Sequence, residues 1–141
     1  MISGEKNDQD PNLEAKLIQL LDNCRCLLRI VLEFCSLTDH FYWNVLPRKC
    51  PYLESFSMKK SRPTAALNLD FLFKFTFLKV IRLDHPAANK LVKRVCQQLK
   101  FLYMFVFQYD EHRECFIQKG QNSFYLRIDS ELFFTLKMLM I

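Results

Sequence analysis

Six cysteines (24, 26, 35, 50, 96 and 115) and three histidines (40, 85 and 112) are the side chains here most able to hold a metal or act as a nucleophile. A structural zinc needs four ligands meeting at one point, which sequences supply as paired Cys or Cys/His knuckles two to four residues apart. Cys24-x-Cys26 is a single pair at the wrong spacing, and His112-x-x-Cys115 stands far from it. A Cys–His nucleophile needs a thiol, an imidazole and an orienting carboxylate or amide in one place. The histidines fall in different parts of the chain, each directly after an acid (Asp39-His40, Asp84-His85 and Glu111-His112), and Asp84-His85 is expected to be a solvated pair at a strand end. Gly4 and Gly120 are the only glycines, so neither GxGxxG nor GxxxxGK[ST] can be written. These patterns point to a protein that is not an enzyme and takes no metal and no cofactor.

The chain's 141 residues amount to one domain; half are hydrophobic, a quarter charged and fourteen are phenylalanine. The opening MISGEKNDQDPN is polar and acidic, unlike a signal peptide, and residues 1–12 are expected to be disordered. The longest apolar run, Phe71 to Val80, carries Lys74 and Lys79, so no membrane span is expected. Without a secretory signal the cysteines read as reduced thiols of a cytoplasmic or nuclear protein. Net charge is +5, and residues 48–100 hold twelve Lys/Arg against Glu54, Asp70 and Asp84. That basic middle raises nucleic acid as a partner.

A repeat organises the chain. Leu27-x-x-Ile30-x-Leu32-x-x-Cys35-x-Leu37 fits the leucine-rich-repeat template LxxLxLxx(N/C)xL at every specified position. Shorter matches follow at Leu53-x-x-Phe56-x-Met58, Leu78-x-x-Ile81-x-Leu83 and Leu102-x-x-Phe105-x-Phe107, with starts 26, 25 and 24 residues apart. One such match means little in a Leu-rich chain. Four in near-constant register predict an α/β leucine-rich-repeat solenoid over residues 13–110, of about four repeats.

Between these strands the sequence changes to helical spacing. Asn12 is expected to cap a helix over Leu13 to Asn23 that turns Leu13, Leu17, Leu20 and Leu21 inward, as half of a repeat whose strand is missing. Ser36 to Asp39 caps a helix carrying Phe41, Val45 and Leu46, and Asn68 caps a short one from Leu69 to Phe75. Pro86 opens a helix with Leu91, Val92, Val95, Cys96 and Leu99 on one face and Lys90, Lys93, Arg94 and Lys100 largely on the other. Residues 111–141 leave the pattern. Glu114 to Gln118 and Ser123 to Ile128 flank Lys119-Gly120-Gln121-Asn122 as a β-hairpin, and Leu132 to Ile141 adds a further strand or helix. Together they are expected to cap the end of the stack.

Alternation along each strand puts the second and third template residues in the core and their neighbours on the concave strand wall. That wall comprises Arg29, Val31, Glu33, Ser55, Ser57, Lys59, Val80, Arg82, Asp84, Met104, Val106 and Gln108. Its candidate binding residues are Arg29, Glu33, Ser55, Ser57, Lys59, Arg82, Asp84 and Gln108, with Arg82 near the centre as the expected anchor.

Cys35-x-Leu37-Thr38-Asp39, Cys50-Pro51-Tyr52-Leu53 and Cys24 at the offset of Cys50 resemble the cysteine-containing repeats of the F-box/LRR family. The resemblance covers about residues 13–110 and thins after the first repeat, where the Cys positions become Ser61, Pro86 and Asp110. In that family the repeats receive substrates for a cullin–RING ubiquitin ligase, and an N-terminal F-box docks the adaptor. The resemblance implies a substrate-binding module with a protein substrate or scaffold as partner. Only twenty-six residues precede Leu27, with no F-box-like helix set, so a ligase adaptor could be reached only through an F-box that is missing here. The alternative is a basic repeat protein that binds nucleic acid or an acidic partner. The template buries Phe56, Phe105 and Phe107, which removes aromatics from base stacking, so the protein partner is the favoured expectation.

Overall fold

In the computed structural model, residues 2–3, 12–33, 35–59, 67–108, 114–120, 124–128 and 132–136 are described. Among the described residues the chain is a mixed α/β protein built on an open eight-stranded sheet whose strands follow sequence order. The strands are β1 (Ile2–Ser3), β2 (Arg29–Glu33), β3 (Ser55–Lys59), β4 (Val80–Leu83), β5 (Met104–Gln108), β6 (Glu114–Lys119), β7 (Phe124–Ile128) and β8 (Leu132–Leu136). Pairing is parallel from β1 to β5 and antiparallel from β5 to β8. The register sets Arg29 beside Ser55, Ser55 beside Val80 and Val80 beside Met104. Those partners are separated by the same 26, 25 and 24 residues as the Leu27, Leu53, Leu78 and Leu102 starts.

A parallel pair needs a crossover, and here each crossover is helical. Helix α1 is Leu13–Asp22; a π-turn, Phe41–Val45, runs into α2, Leu46–Lys49; a 3-10 helix spans Leu69–Lys74; and a 3-10 turn, Ala88–Leu91, runs into α3, Val92–Gln98. The π-turn closes with Leu46 N–H on the Phe41 carbonyl, and Pro47 just after it has no N–H to return to the Trp43 carbonyl, which instead accepts the Lys74 ammonium at 2.9 Å. The Trp43 indole N–H in turn donates to the Asn68 carbonyl at 3.0 Å. The Asn68 side chain caps its own helix, accepting Asp70 N–H at 2.9 Å.

Alternate strand residues supply one wall of the core: Ile30, Leu32, Phe56, Met58, Ile81, Leu83, Phe105 and Phe107 are all buried, as the template predicts. The helical segments supply the other, through Leu17, Leu21, Phe41, Tyr42, Phe71, Leu72, Val95 and Cys96. Phe71 is a hub, with Tyr42, Phe56 and Trp43 ring centroids 5.2, 5.6 and 6.4 Å away.

Several expectations are corrected. The first helix does have a strand before it: Ile2 and Ser3 pair with Leu32 and Glu33, so the disorder expected over residues 1–12 does not hold for those two. Residues 4–11 lie outside the described residues. Asn12 serves α1 through its carbonyl, which accepts Lys16 N–H at 3.0 Å, not through a side-chain cap. Leu20 faces outward, 53% exposed, because the buried stripe of α1 runs through Leu17 and Leu21. The hairpin of β6 and β7 forms as expected, and Leu132–Leu136 is a strand. Residues 137–141, His112, Ser61 and Asp110 fall outside the described residues.

Candidate interaction surface on the sheet

The strand residues that turn away from the core line up in rows set by the register. One row is Arg29, Ser55, Val80 and Met104; the next is Val31, Ser57, Arg82 and Val106; Glu33 then stands beside Lys59. Arg29 is exposed, and Glu33, Ser55, Lys59, Arg82, Asp84 and Gln108 are half-buried. A groove of about 490 Å3 runs across β2 to β4, with Arg29, Lys59 and Arg82 supplying positive charge and Ser55 and Ser57 hydroxyls. Two wall positions are buried outright: Ser57 at 8% exposure and Val106 at 5%. Ser57 is a small side chain between the longer Val31 and Arg82.

Val106 is covered for a different reason. Arg82 Nη2 on β4 donates to Glu114 Oε1 on β6 at 2.8 Å. Val106 lies on the intervening strand, level with Arg82 and with Phe116. The ion pair therefore arches over it. Arg82, expected as the free central anchor, is spent inside the molecule. The contact uses one nitrogen and one oxygen; Arg82 Nε, Glu114 Oε2 and Ser57 Oγ are buried and make no hydrogen bond among the described residues. A single-contact pair is weaker than a two-pronged guanidinium–carboxylate fork. Lys59, Asp84 and Gln108 each engage neighbours as well. Arg29 is the wall cation most open to a partner.

The cysteines divide by depth. Cys35, Cys50, Cys96 and Cys115 are buried, Cys24 is half-buried and Cys26 exposed. Burial pushes the Cys96 thiol up to about 12 and the Cys115 thiol up to about 11; burial and then the nearby Cys24 raise Cys50 to about 11. Such thiols are poor nucleophiles at neutral pH. Among the described residues no three His, Cys, Asp or Glu side chains gather as a metal site. His85, expected to be solvated, is buried, and its Nδ1 accepts Ala87 N–H at 3.0 Å, which puts its proton on Nε2. His40 Nδ1 lies 3.1 Å from Asn44 Nδ2.

The basic helical side is also less uniform than its sequence suggests. Arg94 pairs with Asp70 at 2.6 Å and lies 4.5 Å over the Phe73 ring, while Lys90, Lys93 and Lys100 are exposed. No helix among the described residues is long and apolar enough to cross a membrane.

Two features escaped the sequence reading. Glu114 falls in the expected hairpin, and nothing in its local sequence says that it reaches back to Arg82. Tyr52, Phe77 and Phe101 form an exposed row at the N-terminal ends of the strands, and their signal was present: each directly precedes the first leucine of a repeat. Comparison with models of known protein families gives no match, and comparison with curated proteins gives none either.

Proposed function

We propose that the chain is a non-enzymatic protein-interaction module: a stack of about four leucine-rich repeats, capped by its C-terminal hairpins, that serves as the substrate-recognition part of an F-box/LRR-like ubiquitin-ligase receptor. One observation carries the reading. Residues 26, 25 and 24 apart stand side by side on β2 to β5, the spacing of the LxxLxL starts. A repeat stack offers a partner one continuous strand surface drawn from several units. On that surface Arg29, Glu33, Lys59 and Asp84 carry both signs and Ser55 stands beside Arg29, which suits a polar protein face better than a run of phosphates. The ligase role rests on the resemblance of Cys35-x-Leu37-Thr38-Asp39 and Cys50-Pro51-x-Leu53 to F-box/LRR repeats. Complete burial of Cys35 and Cys50 supports their part in it, as small side chains at repeat corners.

The test is quantitative affinity enrichment with three forms of the protein: unaltered, Arg29→Ala with Lys59→Ala on the strand face, and Lys90→Ala with Lys93→Ala on the helical side. The expected result is a set of proteins kept by the unaltered and helical-side forms and lost from the strand-face form. Retention of nuclease-sensitive RNA or DNA that only the helical-side form loses would replace this reading with a basic nucleic-acid-binding repeat protein.

A further inference from the structure

Every turn that leads into a parallel strand leaves one side chain outside the core. The turns close with Leu27 N–H on Cys24 O, Leu53 N–H on Cys50 O and Leu102 N–H on Leu99 O, at 3.2 to 3.3 Å. The residue just before each closing leucine projects outward: Cys26, Tyr52 and Phe101, with Phe77 at the matching place before Leu78. The backbone fixes their spacing. The Leu28, Glu54 and Lys79 carbonyls each accept two N–H groups of the next unit, at 2.6 to 3.1 Å, so the turns stack one on the next. Tyr52, Phe77 and Phe101 follow as a ladder with ring centroids 6.2 and 6.0 Å apart. Leu28 and Tyr103 flank it, and all five are 42–54% exposed.

Single exposed apolar residues are ordinary on a monomer, but five in one row are a patch. A groove of about 640 Å3 runs along it from Leu28 to Phe101. A second groove, of about 450 Å3, shares Cys26 and Tyr52 with the first and is lined by Arg25, Arg48 and Lys49. Lys49 pairs with Asp22 and Lys79 with Glu54. Among the described residues, these pairs use both acids of the edge and leave Arg25, Arg48 and Lys100, which directly precedes Phe101, without a counter-ion. The surface is therefore apolar along its length and positive beside it.

We propose that this edge is a second docking surface, separate from the strand face, and that its occupant is an acidic amphipathic helix of a partner protein. The apolar side chains of that helix lie along Tyr52, Phe77 and Phe101, and its carboxylates meet Arg25, Arg48 and Lys100. The rung spacing fits: residues i and i+4 of a helix rise about 6 Å, against 6.2 and 6.0 Å for the ladder. The exposed rings and the Leu28 side chain line one groove, which makes a seat for aliphatic groups. The inference stands whether or not the strand face binds anything.

The probe is a fluorescein-labelled synthetic helix with leucine at every fourth position and glutamate opposite, read by anisotropy. Control peptides replace glutamate by lysine, or leucine by serine. Saturable binding of the acidic peptide alone is expected, weakened at least tenfold by Phe77→Ser with Phe101→Ser and by Arg25→Glu with Arg48→Glu. Arg29→Ala with Lys59→Ala is expected to leave it within twofold, which separates this surface from the strand face. Thermal melting checks that each variant is folded, and the charge-reversal pair lies on the surface if the aromatic pair unfolds. Absence of saturable binding, equal binding of the lysine peptide, or loss only in the strand-face variant would overturn the proposal. So would binding of an oligo-dT strand or of phosphatidylserine vesicles that depends on Phe77 and Phe101 while the acidic peptide does not bind.

Discussion

The strand face and the turn edge come from the same strands and the turns that lead into them, yet they spend their side chains differently. On the face, cations have internal uses: Arg82 is drawn across β5 to Glu114, and Lys59 engages its own neighbours. At the edge, the two ion pairs consume the acids and leave cations over, beside rings that nothing in the described structure covers. The difference teaches that a repeated residue position, more than a favourable residue type, keeps side chains exposed and in line. Arg82 is the better anchor by type. Phe77 is the better one by position, because the stacked turns keep it exposed and in register with its counterparts.

Both surfaces depend on one packed interior, so the largest effect should fall on both together. Phe71→Ala removes a fully buried ring that touches Tyr42, Trp43 and Phe56. It is expected to cost about 3–5 kcal/mol, measured by urea unfolding, and to abolish peptide binding at the edge as well. Loss of stability with binding intact would show that the edge does not need the core.

Alkaline pH should act on the interior and spare the edge at first. Below about pH 8.5 the thiols are protonated in both folded and unfolded chains. Above it the unfolded chain releases protons that Cys50, Cys96 and Cys115 keep up to about pH 11–12. The unfolded state then binds fewer protons, and stability falls as pH rises. Between pH 8 and 11 the loss is expected to reach about 2 kcal/mol for each of these thiols, read from denaturation midpoints, and Cys96→Ala should flatten the slope. A midpoint independent of pH over that range would contradict the burial assigned to these thiols.

The smallest effects separate the two surfaces directly. Arg82→Ala leaves Glu114 half-buried without its partner and is expected to cost about 1 kcal/mol, the upper end for an exposed pair and well below a fully buried one, because a third of it is open to solvent. Phe77→Ser at the edge should change unfolding free energy by less than that, about 0.5 kcal/mol. A larger cost at Phe77 than at Arg82 would make the ladder a structural element and not a surface.

Much of this architecture could be read from the chain. The LxxLxL matches placed β2 to β5 and their core residues because a period near 25 residues must bring equivalent positions together when strands pair in parallel. Asn68 was legible as a cap, and Glu114 to Ile128 as a hairpin. Some of what failed did so through contacts distant in sequence, and some through segments too short to carry a pattern. Glu114 lies 32 residues from Arg82, and no local pattern says which strand a hairpin joins. Ile2 and Ser3 are too short a segment to show alternation. His85 reads as a loop residue, but the turn to Ala87 folds its ring inward. Of the candidate wall, the row positions were legible, while their occupancy was not, since Arg82 and Ser57 are committed by side chains on other strands. The ladder was visible in Tyr52, Phe77 and Phe101 but lay outside the LxxLxL template, which begins one residue later.

The central claim is that this chain works by presenting the strand side of its sheet to another protein. The most direct measurement places a photo-crosslinking amino acid at Ser55, or at Lys93 on the helical side, and identifies what each captures in cells. The account expects discrete protein adducts from Ser55 and none shared with Lys93. Adducts confined to Lys93, or made to RNA from either position, would contradict it.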